Sequence, residues 1–477
     1  MSSTPLSCAP AVPGDPPTIR PNRMWKAGTL TYTFGGLVVI FFWLLCGDFA
    51  WSMRDRSVGP MSQWYLNHLK VPNFLFGLLM ISFPALVGMI LAPIISVKSD
   101  RHRGRWGRRI PFLLVTTPIA ALGMIGIGLT PILARQVHRL FPGQSETVVA
   151  IVCFGVFWAV FEFAAVAAQP VFNGLINDVV PGSLLGRFYG LFRAVSLIDG
   201  MIFNYWIMGK VPGHFTLILC IIGVFYGAAF MWVCFKVKEG DYPPLPIVAF
   251  MPGRSSARSG IGGLLHGFFR EAKCYLKECF NNPYYLSIFI LIMIAQLAFL
   301  PINTFALPYA RSLGVDMETY GKYLAMTFSI SLGLSFFLGW AADAFHPLRM
   351  TIGTLICYVV AMAWGRFHAT TPESFLAAWV AHGVLSGCYY TCVASLTQRL
   401  FPHSRFAQFA SAAGMCTALA NMTLAPCVGL LIDQTGGVFR HTFAIGATLA
   451  VLALVAGFYV HGKFMKLGGP KGYVAPE

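Results

Sequence analysis

Charge is scarce in this chain of 477 residues: Asp, Glu, Lys and Arg make up 11% of it, where soluble domains carry roughly 25%. That shortage excludes an ordinary soluble enzyme or binding domain. Acidic residues are the rarer sign, 18 against 34 Lys and Arg. The basic excess does not point to nucleic acid, because the basic residues cluster at the ends of apolar runs. No Gly-x-x-x-x-Gly-Lys-Ser/Thr phosphate loop is present, which leaves ATP-driven pumping unsupported. No catalytic constellation appears, and no enzyme activity is expected. The 12 cysteines are scattered, mostly inside apolar runs, without metal or disulfide spacing. They read as buried and reduced, and no metal or organic cofactor is expected. The first residues lack the apolar core of a signal peptide.

What the chain has is apolar length. It is 56% hydrophobic, with mean hydropathy +0.67, and several runs exceed the roughly 20 residues that cross a bilayer. The expected class is all-α, a polytopic membrane protein of twelve helices in two six-helix halves. The expected division is a cytoplasmic tail (1–29), a first half (30–237), a cytoplasmic linker ending in a basic amphipathic helix (238–282), a second half (283–462) and a second cytoplasmic tail (463–477). Helices are placed near 30–67, 74–97, 111–133, 147–176, from after Phe188 to Met208, 215–235, 284–309, 319–341, 348–368, 374–398, 407–431 and 440–462, with 134–146 as an external loop. Most of the Lys and Arg then fall on one face of the membrane. By the positive-inside rule both termini are cytoplasmic, in a multi-pass plasma or inner membrane protein.

Between the second and third apolar runs lies Val97-Lys-Ser-Asp-Arg-His-Arg-Gly-Arg-Trp-Gly-Arg-Arg-Ile-Pro-Phe112, with five arginines and a lysine around Asp100. Charge alone makes this a topogenic loop. Its order, D-R-x-x-x-R-x-G-R-R-x-P-F, resembles the loop between helices 2 and 3 of the major facilitator superfamily, in the form found in sucrose transporters and glycoside-pentoside-hexuronide:cation symporters. Weaker echoes in the second half, Gly339 to Asp343 with Arg349 and Arg399 to Phe406, fall where two parallel repeats would place them. The resemblance implies a secondary transporter working by alternating access. Gating would involve Asp100, Arg101, Arg105, Arg108, Arg109 and Asp343. Gly47, Trp51, Gly59-Pro60 and Tyr65-Leu66 look like the first helix of sucrose transporters, and that helix is taken as long. Phe157-Trp158 and Pro170 resemble their fourth helix. There the family's acid would fall at Phe161, and Phe172 and Asn173 stand where its arginine would be, which speaks against sucrose itself.

A charge at the centre of a membrane helix costs about 2.5–3.5 kcal/mol on insertion scales and asks for a reason. Asp48, Glu162, Arg193 and Asp199 are such charges, and Arg54, Asp55 and Arg56 join them if the first helix is long. Asp48, Ser52 and Asp55 share a helical face. These residues, with Trp51, form the expected substrate and proton site of the first half. Internal ion pairs that merely lock the bundle are the alternative. Glu162, partnered by Arg193, is the leading proton carrier, with Asp48 and Asp199 behind it. In the second half the candidates are Gln296, Asn303, His382 and Tyr389, with His382 either a proton relay or a packing histidine. The second helix has no carboxylate between Phe74 and Val97, which favours protons over sodium. The expected function is proton-coupled symport of a small polar solute, a sugar, glycoside or sugar acid, by a monomer in the lipid bilayer. The competing reading is a non-transporting relative that assembles pigment complexes, since such factors share the loop motif.

Overall fold

The computed structural model describes residues 24–241, 279–402 and 406–476. A short hairpin opens it, with β1 (Trp25–Ala27) antiparallel to β2 (Leu30–Tyr32). Twelve long helices follow among the described residues: α1 (Phe34–His68), α2 (Asn73–Arg101), α3 (Ile110–Leu140), α4 (Glu146–Val179), α5 (Leu185–Ile202), α6 (Val211–Lys236), α7 (Pro283–Ser312), α8 (Met317–Phe345), α9 (Pro347–His368), α10 (Pro372–Leu400), α11 (Phe406–Gln434) and α12 (His441–Lys466). A last turn, α13 (Gly469–Gly472), closes the chain. Helices are the expected answer to these apolar runs, because inside a bilayer every backbone polar group must be satisfied within its own segment.

Helix starts carry the residues that satisfy free N–H groups. Thr33 accepts from Gly36 N, Ser145 from Val148 N and Asp316 from Thr319 N, and Thr371 and Ser374 form a reciprocal box. Pro111 stands in the first turn of α3, as expected. α1 does run to His68 without a break, through Arg54 and Pro60. Two sequence expectations change. The segment taken as a loop from 134 is helical to Leu140, because its alternation of Ala134, Val137 and Leu140 with polar residues lets α3 project beyond the apolar layer. The residues expected as the end of a polar tail form the hairpin, which Asp241 holds: its backbone N donates to Thr29 Oγ1 (2.8 Å). The expected amphipathic linker helix lies outside the described residues except for its last two.

The two sets of six helices repeat one pattern of neighbours. In the first, α1 packs on α5 and α6, α3 on α4 and α6, and α2 on α4. In the second, α7 packs on α11 and α12, α9 on α10 and α12, and α8 on α10. Small residues set the closest approaches. A methyl group at Gly123 of α3 would sit 2.8 Å from the Phe161 backbone nitrogen of α4, and one at Gly446 of α12 would sit 3.0 Å from the Ala298 carbonyl of α7. Outward faces stay apolar, as in the α6 stripe Leu217, Ile221, Val224, Trp232 and Phe235. An even number of crossings returns both chain ends to one face, called here the terminal face; the opposite one is the far face.

Two helices are not regular. α2 contains a π turn at Leu78–Ser82. α5 passes into a π turn at Phe203–Ile207 and then a 3₁₀ turn, Met208–Lys210. Both irregular tips lie at the far face.

Candidate functional site

The site is built on α1. Where it passes the middle of the bundle, successive residues serve different neighbours. Arg54 turns into the first half. It is 1% exposed, donates to Asp55 Oδ1 through Nε (3.0 Å) and Nη2 (2.6 Å), and donates to the Tyr226 hydroxyl through Nη1 (3.2 Å). Its guanidinium lies 3.9 Å from the Trp51 ring centre and 5.1 Å from that of Tyr226, so aromatic faces replace part of its lost hydration. Asp55 is half exposed and Arg56 follows it toward the centre. Arg56 Nη2 donates to Ser196 Oγ of α5 (3.0 Å), and its guanidinium lies 4.9 Å from the Phe328 ring of α8.

Asp55 borders two cavities. One, of about 400 Å³, lies between the halves and is lined by Asp55, Arg56 and Arg193 on one side and by Asn303, Trp379, Ser386 and Tyr390 on the other. The second, about 560 Å³, lies between α1, α2 and α4 and brings Arg54 and Asp55 to Trp158, Glu162 and Gln169. Behind Arg56 sit two carboxyl groups with no exposure, Asp48 and Asp199. Ser52 Oγ donates to Asp48 Oδ1 (3.3 Å), while Asp48 Oδ2 and both Asp199 oxygens have no hydrogen-bond donor. The two lie within electrostatic reach of each other and of Arg56.

The second half contributes a chain of hydrogen-bonded side chains. His382 is fully buried between Asn303 and Tyr358. Asn303 Oδ1 accepts from His382 Nε2 (2.9 Å), which leaves Nδ1 to accept from the Tyr358 hydroxyl (2.8 Å). The His382 ring lies parallel to Trp379, 5.4 Å away. Asn303 and Trp379 both reach the central cavity, so the buried histidine connects to it through them.

The cavity is closed at the far face, where the halves touch. Asp433 of α11 caps the start of α2 in the other half: its Oδ1 accepts from Asn73 N (3.1 Å) and Asn73 Nδ2 (2.8 Å), and its Oδ2 from Phe74 N (2.9 Å). Ser82 Oγ donates to the Met422 carbonyl (2.5 Å). Gly77 lets α2 approach the Ala425 carbonyl, where a methyl group would sit 2.7 Å away. Nearby, α5 meets α8 through Gly209 against Glu318 and Gly321 against Asn204. Toward the terminal face, Gly186 and Gly190 of α5 and Gly333 of α8 meet open space.

The motif loop binds one half to itself. Arg108 forms a fork with Asp178 of α4, its Nε donating to Oδ2 (2.9 Å), and Arg109 Nε donates to the same oxygen (3.2 Å). Arg109 also pairs with Asp100 and donates to Ser99 Oγ (2.6 Å). Glu239, just past α6, accepts from the backbone nitrogens of Arg108 (2.9 Å), Arg109 (2.8 Å) and Ile110 (2.7 Å), capping α3 where its dipole favours an anion. These bonds all stay within the first half. Arg101 and Arg105 are exposed, and the side chain of Asp343 lies outside the described part of α8.

The structure therefore gathers Asp48, Ser52, Arg54, Asp55 and Arg193 around one region, but distributes them differently from the sequence reading. Glu162 faces Arg54 and Asp55 rather than Arg193, since α4 and α5 line different cavities. Trp51 is buried under Arg54 and stacked on Phe172 (5.0 Å), not in either cavity. Tyr389 is buried against Phe299 and its neighbour Tyr390 faces the cavity instead. Gln296 is half buried and lines neither cavity. Asp178, Glu239 and Asp433 were not singled out from the sequence. Each is an acid just inside or beyond a helix end, and its partner is distant in the chain.

Residues 284–471 match the family model of the Major Facilitator Superfamily. A mouse (Mus musculus) membrane-associated transporter protein is 27% identical over 125 residues, which is 25% of this chain and 23% of that relative; the chain thus aligns with about a quarter of its length. Among solved structures, peptide transporter POT in complex with sulfate superposes with TM-score 0.65 at 12% identity, covering 91% of this chain and 96% of its own. The inward-facing bacterial homolog of the human lysosomal transporter Spinster gives 0.63 at 13%, covering 92% and 99%. The inward-open xylose transporter XylE from E. coli gives 0.62 at 14%, covering 88% and 95%. The second half thus resembles the Major Facilitator Superfamily in sequence, and the chain as a whole shares the fold of these solved transporters.

Proposed function

We propose that this protein is a secondary active transporter that imports a small polar solute of the saccharide class with protons, by alternating access. The observation that carries the reading is the charged central cavity between the halves, closed at the far face by contacts between them. A lipid-facing packing defect would not collect Asp55, Arg56, Arg193 and Asn303, because uncompensated charge in the bilayer is costly. The D-xylose–proton symporter among the structural neighbours supports the sugar and proton assignment. Placing both termini in the cytoplasm of a plasma membrane protein follows the positive-inside rule, and makes the present arrangement inward-open. The proton site is assigned to the buried Asp48 and Asp199 ahead of Glu162, and a single chain contains the whole site.

The test is uptake by the purified full chain in proteoliposomes, across a panel of sugars, glycosides and sugar acids, with and without a pH gradient. Accumulation of one class that collapses with the gradient is expected. Uptake of no member of the panel would favour the non-transporting assembly role.

A further inference from the structure

Building on the transporter reading, we infer that the solute carries a carboxylate, as a hexuronate does, that Arg56 and Arg193 bind it, and that a proton on the Asp48–Asp199 pair frees Arg56 to do so.

The charge balance around the central cavity leads there. Arg54 and Asp55 cancel each other. Arg56 and Arg193 remain, and both line the cavity. Arg56 donates only to the neutral Ser196, and Arg193 makes no ion pair or hydrogen bond among the described residues. Two guanidiniums facing one cavity without a direct carboxylate partner invite an anion, and a planar fork matches a carboxylate better than any other side chain does. The remainder of the lining suits a sugar ring. Asn303, Ser386 and Tyr390 offer hydrogen bonds to hydroxyls, and the exposed ring of Tyr390 offers an apolar face. A volume of about 400 Å³ falls within the size of small-molecule sites.

Coupling follows from what lies behind Arg56. The charged and titratable groups around the carboxyl pair are few. α1 brings Asp55 and Arg56. α5 brings Arg193, which faces Arg56. α4 brings Glu162 and α6 brings Tyr226, both directed at Arg54. α8 brings the uncharged Phe328. Arg56 is therefore the cation that the pair and the solute share. When both carboxyls are ionised, their two charges balance Arg56 and Arg193 together, and the solute's carboxylate finds a neutralised site. When a proton enters, one negative charge is lost from the pair and the solute's carboxylate replaces it. Proton and anion thus bind cooperatively, and each raises the other's affinity by the same factor. The proton moves as a bound ion from one side to the other, with no covalent change in the solute.

The experiment measures binding and uptake of D-glucuronate, with D-glucose as its neutral counterpart, by the full-length protein at mildly acidic and mildly alkaline pH. D-glucuronate should bind more tightly at the acidic pH, and D-glucose about tenfold or more weakly than the acid. Arg193→Gln should weaken D-glucuronate by about 10- to 100-fold. Arg193→Lys should restore part of that loss, which separates a binding role from misfolding. In Asp199→Asn the affinity for D-glucuronate should no longer change with pH. Equal affinity for sugar and acid overturns the inference, as does an Asp199→Asn variant that keeps the wild-type pH dependence. If D-glucose is taken up and D-glucuronate is not, the inference falls while the transporter reading stands. If neither binds nor moves, the inference falls, and uptake across the wider panel decides the transporter reading.

Discussion

Replacing Asp433 by alanine removes the cap that one half places on a helix of the other. Three charge-assisted hydrogen bonds disappear, at 2.8 to 3.1 Å in the structure, and two of their donors are the backbone nitrogens that begin α2. Loss of a helix cap costs about 0.5–2 kcal/mol, and loss of a negative charge at a helix start costs about 0.3–1 kcal/mol. Asp433 is exposed, so water replaces part of both. About 1–2 kcal/mol remains, which shifts an equilibrium about 5- to 30-fold. The contact joins the halves only while the far face is closed, so the variant should move the population toward separation at that face. Distances between spectroscopic labels at Gln144 and Thr371, exposed far-face residues in different halves, report it directly. Non-canonical amino acids should carry the labels, because native cysteines are numerous. Asp433→Asn should fall between wild type and alanine, since asparagine still caps but carries no charge. Identical distance distributions in all three proteins would refute the idea that this cap holds the face shut.

Arg54 and Arg193 should differ in stability terms. Arg54→Gln leaves Asp55 and Tyr226 without their partner and empties an aromatic cage, so unfolding free energy should fall by about 1–3 kcal/mol; Arg193→Gln breaks no bond and should change it by less than about 0.5 kcal/mol, as thermal denaturation of the two variants would show. His346, in the turn between α8 and α9, is held down from 6.5 to about 4 by burial and by Arg399, Arg349 and His461. Its folded value lies below its unfolded one, so the stability it contributes is whole above 6.5 and is lost as pH falls toward 4. Its Nδ1 accepts from Leu348 N (3.3 Å) at a backbone φ of +74°. His346→Asn keeps the cap and tolerates that backbone, so melting curves across this window should show a smaller acid loss than in wild type.

The architecture was readable because a bilayer leaves few alternatives. An apolar run of sufficient length with a charged end has one structural outcome, and the spacing of such runs yields the helices of both halves. Arg54 shows where that reading stops. Its position on a long first helix was legible, but whether it faces a cavity or an aromatic cage depends on Trp51, one turn earlier, and Tyr226, on a helix 172 residues away. Glu162 and Arg193 looked like partners because they occupy consecutive helices. The three-dimensional order of α1, α4 and α5 separates them, and hydropathy contains no information on that order. Asp433 and Asn73 lie 360 residues apart, and only the approach of the halves brings them together. Charge patterning located the helix ends and gave no indication of what those ends touch.

The π turns of α2 and α5 bear on how the far face opens. Each sets a short tip apart from a long shaft, and the tips make contacts with the other half: Asn73–Gly77 against α11, and Met208–Lys210 against α8. A wide turn already departs from the regular ladder, so bending there disturbs few hydrogen bonds, whereas moving a whole half requires every cross-half contact to slide together. Two kinds of motion are therefore available on one surface. In the transport cycle proposed above, flexing of the tips would admit or release a solute without a change in the angle between the halves, and rotation of the halves would exchange the side from which the cavity is reached. Order in time becomes a measurable property: labels on the tips would report the first motion, and labels on the shafts would report the second.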